Sequence, residues 1–309
     1  MAAVGTSPVP TTKVTGPIPA EAPLGDSSRN YPFFSTSDLA ERRDYIEEEF
    51  FVEGLASAFT IDTGNVATAI PGGPYPYKTR VMVRRPRTAS RFNGTVILEW
   101  INAVMIRQYD FETDWNLTNE HLMRRGFVHV GASVQWFGVH SPVTGLKAWN
   151  PGRYGSLDIT ANGKFQEDEL ANSVFAQIAN VVKNPEGTAL LGSLRPQKLI
   201  ATGQSASAGA LATYYNTFQQ TDGVLDGFVL HGAGRQLRTD IQIPVFKFMA
   251  ETDVVRVQAP MRQPDSDRLR TWEVAGSSHL DVDIIAAHKR LRERDLRGVG
   301  NPNSAACPV

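Results

Sequence analysis

The residue with the clearest chemical promise is Ser205. It stands where a short apolar run, Leu199-Ile200-Ala201-Thr202-Gly203-Gln204, gives way to a helix-forming run, Ala210-Leu211-Ala212-Thr213-Tyr214-Tyr215. A strand, a sharp turn and a helix in that order would hold the serine hydroxyl in the open, at the positive end of a helix. Such a turn brings two backbones together, so only small residues fit around it. Gly203 before the serine and Ser207 after it meet that demand. The usual pattern is Gly-x-Ser-x-Gly; here the last position is Ser207, with Gly209 two places on. The plainer reading of the same stretch is a small-residue helix start with Ser205 as its N-cap.

A serine hydroxyl becomes a nucleophile when a base takes its proton and a carboxylate orients the base. On an elbow of this kind the partners follow the serine, acid first and histidine second. The chain has six histidines, and His121, His129 and His140 precede Ser205. His129 reads as a packed strand residue and His140 as a loop residue. His231 follows the serine, but Asp222 and Asp226 sit before its strand rather than at a strand end. His288 lies in a basic helical run, Ala286-Ala287-His288-Lys289-Arg290. His279 remains, on the small-residue turn that ends Thr271-Trp272-Glu273-Val274-Ala275-Gly276-Ser277-Ser278.

The acid must close a strand between these two residues. Pro244-Val245-Phe246-Lys247-Phe248-Met249-Ala250 reads as a largely buried strand with Lys247 turned outward, and Glu251-Thr252-Asp253 follows directly. Asp253 has the better position, a few residues into the loop, with Glu251 as the runner-up. Asp265 and Asp267 lie in a charged loop and read as surface partners of Arg262, Arg268 and Arg270. The developing oxyanion needs two donors. One is the N–H of Ala206. The second comes from the loop after the strand Gly94 to Trp100: the Asn102 or Ala103 backbone, or the Asn102 side-chain amide.

The elements that must carry these residues are strands alternating with helices, which argues a mostly parallel sheet wrapped by helices in one large α/β domain. Early strands are expected over Glu47 to Thr60 and Tyr77 to Arg85. A helix is expected from about Trp115 to Arg125, closed by Gly126. Residues 1–30, rich in Pro, Thr, Ser and Gly, read as an extended arm on a single domain spanning 31–309. From Gln135 to Gln166 no period holds, and Trp136, Phe137, Trp149, Tyr154 and Leu157 punctuate the run. A long irregular segment after a central strand reads as a lid or pocket wall. Trp149 and Tyr154 of this run, with Met105 from the loop after the Gly94 to Trp100 strand, are the candidate substrate contacts.

Composition narrows the function class. In 309 residues, 41% hydrophobic content supplies a substantial core, and a net charge of −1 gives no electrostatic footprint for nucleic acid. The single cysteine, Cys307, forms no disulfide framework. No apolar run reaches the ~18 residues of a membrane span. The start of the chain has no signal-peptide pattern, and its compartment stays open between cytoplasmic and, after loss of a leader, secreted. No metal-ligand spacing, phosphate loop or dinucleotide fingerprint appears, so no cofactor is expected. The oligomeric state is not legible.

With these residues in place the chain resembles the α/β-hydrolase superfamily, and within it the group known as "alpha/beta hydrolase domain" proteins. The resemblance is carried by Glu99-Trp100-Ile101-Asn102, by Leu146-Lys147-Ala148-Trp149-Asn150-Pro151-Gly152-Arg153-Tyr154-Gly155-Ser156-Leu157, by the elbow, by Glu251-Thr252-Asp253, and by Arg262-Gln263-Pro264-Asp265 through Gly276-Ser277-Ser278-His279. It spans roughly residues 45 to 290. It departs at Ala206, where the group usually has Gln, and in Ala103-Val104-Met105-Ile106-Arg107, where the group usually carries a Gly pair. The resemblance implies a mostly parallel central sheet flanked by helices with a loop-rich lid. It also implies a serine esterase with Ser205, Asp253 and His279 as its triad, acting on a small-molecule ester. Lactone opening or acyl transfer on the same machinery is the near alternative, and a non-catalytic binding protein of the same fold the distant one.

Overall fold

The computed structural model describes residues 12–104 and 108–299. Its sheet strands run in chain order β1 (Lys13–Thr15), β2 (Tyr45–Ala56), β3 (Phe59–Ile61), β4 (Ala67–Ala69), β5 (Tyr75–Pro86), β6 (Thr95–Trp100), β7 (Val128–Ala132), β8 (Lys198–Gln204), β9 (Gly227–His231), β10 (Val245–Ala250) and β11 (Leu269–Val274). Nine of them form one sheet in the order β1-β2-β5-β7-β6-β8-β9-β10-β11, and β3 and β4 pair separately. From β7 to β11 every neighbour is parallel, while β1, β2, β5 and β7 pair antiparallel.

Four long helices cover the sheet: α1 (Thr113–Arg125), α2 (Ala171–Lys183), α3 (Ala206–Thr217) and α4 (Val282–Asp295). The alternation of side chains along β6 sorts them. Val96, Leu98 and Trp100 join the main core with Phe175 of α2 and Tyr214 of α3. Ile97 packs with Trp115, Leu122 and Met123 of α1 on the opposite face. β7, Val-His-Val-Gly-Ala, is buried along its whole length, as a strand covered on both faces must be. α1 stops at Gly126, which takes φ +78° and whose added Cβ would lie 2.0 Å from the Arg91 carbonyl oxygen.

The described part of the arm contributes the edge strand β1, Lys13–Thr15, and just beyond it Tyr31, Phe33 and Phe34 are buried. Two expectations change. Lys247 does not face outward. Its place in β10, paired with β9 and β11, buries it completely, and its Nζ donates to the Arg235 carbonyl. Burial pulls its pKa down to about 8. The segment 135–166 contains three short helices, Trp136–His140, Leu146–Trp149 and Pro151–Tyr154; its Trp149 and Tyr154 turn into the core, while Trp136 and Phe137 stay half-buried.

Candidate active site

Ser205 sits between β8 and α3 with φ 60° and ψ −119°, a conformation that costs a non-glycine residue about 1–3 kcal/mol. Three contacts hold it there. Its N–H donates to the His231 carbonyl at 2.7 Å, which ties the turn to β9. The Ser207 hydroxyl donates to the Gln204 carbonyl at 2.8 Å and accepts from the Gln204 N–H at 3.1 Å. Gly203 leaves room for the crossing backbones: a Cβ there would lie 3.0 Å from the Ser207 carbonyl carbon and 3.1 Å from the Ala208 nitrogen. Ala206 opens α3, so its N–H belongs to the unpaired first turn of the helix.

Asp253 and His279 meet across two strand-end loops. The Ala250 N–H donates to Asp253 Oδ2 at 3.0 Å, which turns the carboxylate back over the end of β10. Asp253 Oδ1 then lies 2.6 Å from His279 Nδ1. The carboxylate is buried while the imidazole is one-third exposed. Thr252 Oγ accepts from the His279 N–H at 3.2 Å. Gly232, at φ +73°, passes beneath the ring, and a Cβ on it would lie 3.0 Å from the imidazole. Glu251 points elsewhere, accepting from the Gly276 N–H at 2.7 Å. The structure thus brings Asp253, and not Glu251, to the histidine.

The other nitrogen of His279 meets a residue that the sequence did not single out. Nε2 lies 2.9 Å from the side-chain Nε2 of buried Gln204. Among the described residues, Ser205 Oγ makes no hydrogen bond to His279. Nothing local marked Gln204; its role depends on a side-chain direction set by residues on three strand ends.

At the oxyanion loop, the Asn102 amide donates to the Gln204 main-chain carbonyl at 2.6 Å and the Ala103 N–H donates to Gln135 Oε1 at 2.9 Å. Two of the three candidates for the second donor, the Asn102 side-chain amide and the Ala103 N–H, are therefore engaged with protein acceptors, the amide's acceptor being on the elbow itself. Met105 falls outside the described residues.

Trp149 and Tyr154 require a correction. Both are buried, in a cluster with Tyr31, Phe33 and Phe34. Trp149 Nε1 donates to the Asp295 carbonyl at 2.7 Å, and the Tyr154 hydroxyl donates to Glu49 Oε1 at 2.7 Å and accepts from the Phe33 N–H at 2.9 Å. Trp149 anchors the segment to the end of α4, and Tyr154 anchors it to β2 and to Phe33. Neither lines the cavity at the candidate site.

That cavity, about 610 Å³, lies between α1, the sheet face and the Gly276–Val282 loop. Val229, Phe246, Phe248 and Leu117 give it apolar walls, and His279 and His231 reach it. His231 Nδ1 lies 3.2 Å from Asp114 Oδ1, and Thr202 Oγ donates to Asp114 Oδ2 at 2.6 Å. His129 is at the other extreme. It is wholly buried 2.9 Å from Glu99 Oε2, and burial beside the Arg84 guanidinium lowers its pKa to about 3. His140 is also lowered, to about 4, chiefly by burial. Among the described residues no group of three His, Cys, Asp or Glu side chains could hold a metal ion, and no helix is long and apolar enough to cross a membrane.

Residues 14–309 match the model of a family described as "Alpha/beta hydrolase domain". No protein of curated function matches the chain. Among solved structures it is similar to a putative dienelactone hydrolase from Klebsiella pneumoniae, at 12% identity over 80% of this chain and 99% of that one, with a TM-score of 0.38. It is similar at 16% identity to an a/b serine hydrolase without lid from Xanthomonas campestris, over 82% of this chain and 97% of that one, with a TM-score of 0.38. A cold-adapted esterase from an Arctic intertidal metagenomic library is 10% identical over 82% of this chain and 94% of that one, with a TM-score of 0.42.

Proposed function

As the chain belongs to the alpha/beta hydrolase domain family, we propose that it is a serine hydrolase of carboxylic esters, with Ser205 as nucleophile, His279 as general base and acid, and Asp253 as the carboxylate that orients the imidazole. The observation that carries the reading is the 2.6 Å contact between His279 Nδ1 and Asp253 Oδ1 beside a serine held at φ 60°. A buried carboxylate accepting from Nδ1–H leaves Nε2 with its lone pair, the tautomer a general base requires.

The reaction then runs in two halves. Ser205 Oγ attacks the ester carbonyl as its proton passes to His279 Nε2. The tetrahedral oxyanion is stabilised by the Ala206 N–H and by a donor from Asn102 or Ala103, which must leave its protein acceptor to serve. The intermediate collapses, the imidazolium returns the proton to the leaving alkoxide, and an acyl-serine remains. Water, deprotonated by the same nitrogen, releases the acid.

Ser205→Ala tests the reading. Ester hydrolysis should fall by about 10³-fold or more, leaving only the catalysis of binding and the oxyanion site. Folded protein with near-normal turnover would remove the assignment. A panel of p-nitrophenyl esters, lactones and amides tests the substrate class.

A further inference from the structure

We propose that Gln204 is a positioning residue that keeps His279 off Ser205 in the resting enzyme, and that it releases the histidine by turning its amide onto Asn102. The inference rests on the reading of Ser205 and His279 as nucleophile and base.

With Nδ1–H committed to Asp253, a neutral imidazole has one lone pair left, at Nε2. That lone pair faces the Gln204 side-chain nitrogen at 2.9 Å. The orientation of the amide follows from its other neighbours. The same nitrogen lies 3.3 Å from the His279 carbonyl oxygen, an acceptor, while Gln204 Oε1 lies 3.5 Å from Asn102 Nδ2, a donor. Reversing the amide would set oxygen against oxygen on one side and N–H against N–H on the other. Gln204 therefore donates to the nitrogen that Ser205 Oγ has to use, and the two cannot hold it at once.

A second acceptor stands ready for the amide. Among the described residues Asn102 Oδ1 is buried with no hydrogen-bond partner, and an orphaned acceptor is costly. Asn102 is already locked to the same residue, since its Nδ2 donates to the Gln204 main-chain carbonyl at 2.6 Å. Rotating the Gln204 side chain so that Nε2 donates to Asn102 Oδ1 would satisfy the orphan and free His279 Nε2 for the serine. The two arrangements exchange one hydrogen bond for another, which is what a small switch needs. The backbone does not have to move, because the elbow is held by the Ser207 hydroxyl and by the Asn102 amide bond to the main chain.

The test is Gln204→Leu in the full chain. Leucine is close to glutamine in size and cannot donate, and the Asn102 bond to the main-chain carbonyl survives the change. The measurement is the second-order rate at which a fluorophosphonate probe labels Ser205, with the melting temperature as a check on folding. Labelling should be roughly five-fold faster than in the wild type, the net worth of one hydrogen bond. The burst rate with p-nitrophenyl acetate should rise by a similar factor. A residue that only supports the loop would instead slow both reactions when it is removed. Should the leucine variant fail to fold, Gln204→Asn keeps a buried amide that is one methylene too short to reach the imidazole, and the same acceleration is expected. Label on Ser205 at an unchanged or lower rate in a folded variant overturns the proposal and leaves the serine-hydrolase reading standing. No label on Ser205 in the wild type overturns that reading and the proposal together.

Discussion

Two of the histidine–carboxylate pairs carried by this sheet and its loops differ more in their surroundings than in their geometry. At the strand-end loops His279 meets Asp253 at 2.6 Å, and in the interior His129 meets Glu99 at 2.9 Å. The His279 side chain is 33% exposed and the His129 side chain 1%. His129 is enclosed on all sides: its Nε2 donates to Glu99, its Nδ1 faces Arg84, and Trp115 covers the ring. Glu99 in turn accepts from the Asp114 and Trp115 N–H groups, so the pair caps the start of α1. Every polar atom there has a structural duty, and none faces a cavity. His279 has one nitrogen held and the other shared with a side chain that can rotate. The contrast teaches that a histidine–carboxylate contact is a site only where the second nitrogen has somewhere to go.

The sharpest way to break the contrast is at the carboxylates of the loop. Asp253→Asn should lower kcat/KM for esters by about 10³-fold or more, because an amide favours the wrong imidazole tautomer. Glu251→Gln, which disturbs only a bond to the Gly276 N–H, should change it by no more than about three-fold. The opposite ranking in steady-state assays of the two purified variants would transfer the orienting role to Glu251.

The interior pair should respond in stability and not in turnover. Arg84 donates to Glu47 at 2.7 Å and to both oxygens of Glu112, and it lies over the Trp115 ring at 4.6 Å. Removing one partner of a buried charge network leaves the others uncompensated, at a cost of about 3–5 kcal/mol. Arg84→Met should therefore shift the denaturant midpoint strongly downward, while activity per folded, titratable active site stays close to that of the wild type. A loss of turnover without a loss of stability would link the interior layer to the chemistry.

How far the chain could be read from its residues follows the same division. The elbow was legible because close backbone crossing admits only small side chains, a constraint written in Gly203, Ser205 and Ser207 themselves. The meeting of Asp253 with His279 was legible because each sits where an apolar run breaks. Asp253 was preferred over Glu251 for its place a few residues past the strand, but the turn at Ala250 that aims its carboxylate is encoded by no pattern of residue types. Gln204 went unmarked because a side-chain amide takes its meaning from partners at positions 102 and 279. Lys247 was misplaced because a lone charge in an apolar strand looks like an outward face, and its acceptor is the carbonyl of Arg235. Trp149 and Tyr154 were misread because aromatics in an irregular run look alike whether they wall a pocket or fill a core. Their partners, Glu49, Phe33 and Asp295, are more distant in sequence than any local pattern reaches.

The interior histidine also predicts a pH dependence. Its folded pKa of about 3 lies below the ordinary value of 6.5. The unfolded chain therefore takes up a proton first as the pH falls, so stability is fully present above about 6.5 and declines toward the folded value. Between pH 6.5 and 5 the loss from His129 should be about 2 kcal/mol. His140, lowered to about 4, adds a loss of the same sign. His129→Gln keeps an N–H donor for Glu99 but cannot titrate. Chemical denaturation at pH 6.5 and pH 5 should show a smaller difference for that variant than for the wild type, and equal differences would mean that His129 is not the titrating group.

The smallest effect should fall on the aromatic segment, and it separates an anchor from a pocket wall. The Tyr154 hydroxyl joins three parts of the chain, since it donates to Glu49 and accepts from Phe33 while its backbone belongs to the segment 135–166. Tyr154→Phe keeps the ring and removes both bonds, at a cost of about 1 kcal/mol, a little more if the Phe33 N–H stays dry. If the residue is only an anchor, turnover should change by a similar factor for every member of an acyl-length series, and the melting temperature should drop. If it touched substrate, one end of the series should be favoured, because a change in an apolar pocket shifts selectivity by roughly 10-fold or more per methylene. The buried placement of the ring, between Phe51 and Trp149, favours the uniform outcome. A selective change among esters in this variant would show that the segment opens toward the site, and the line drawn between core and site would have to move with it.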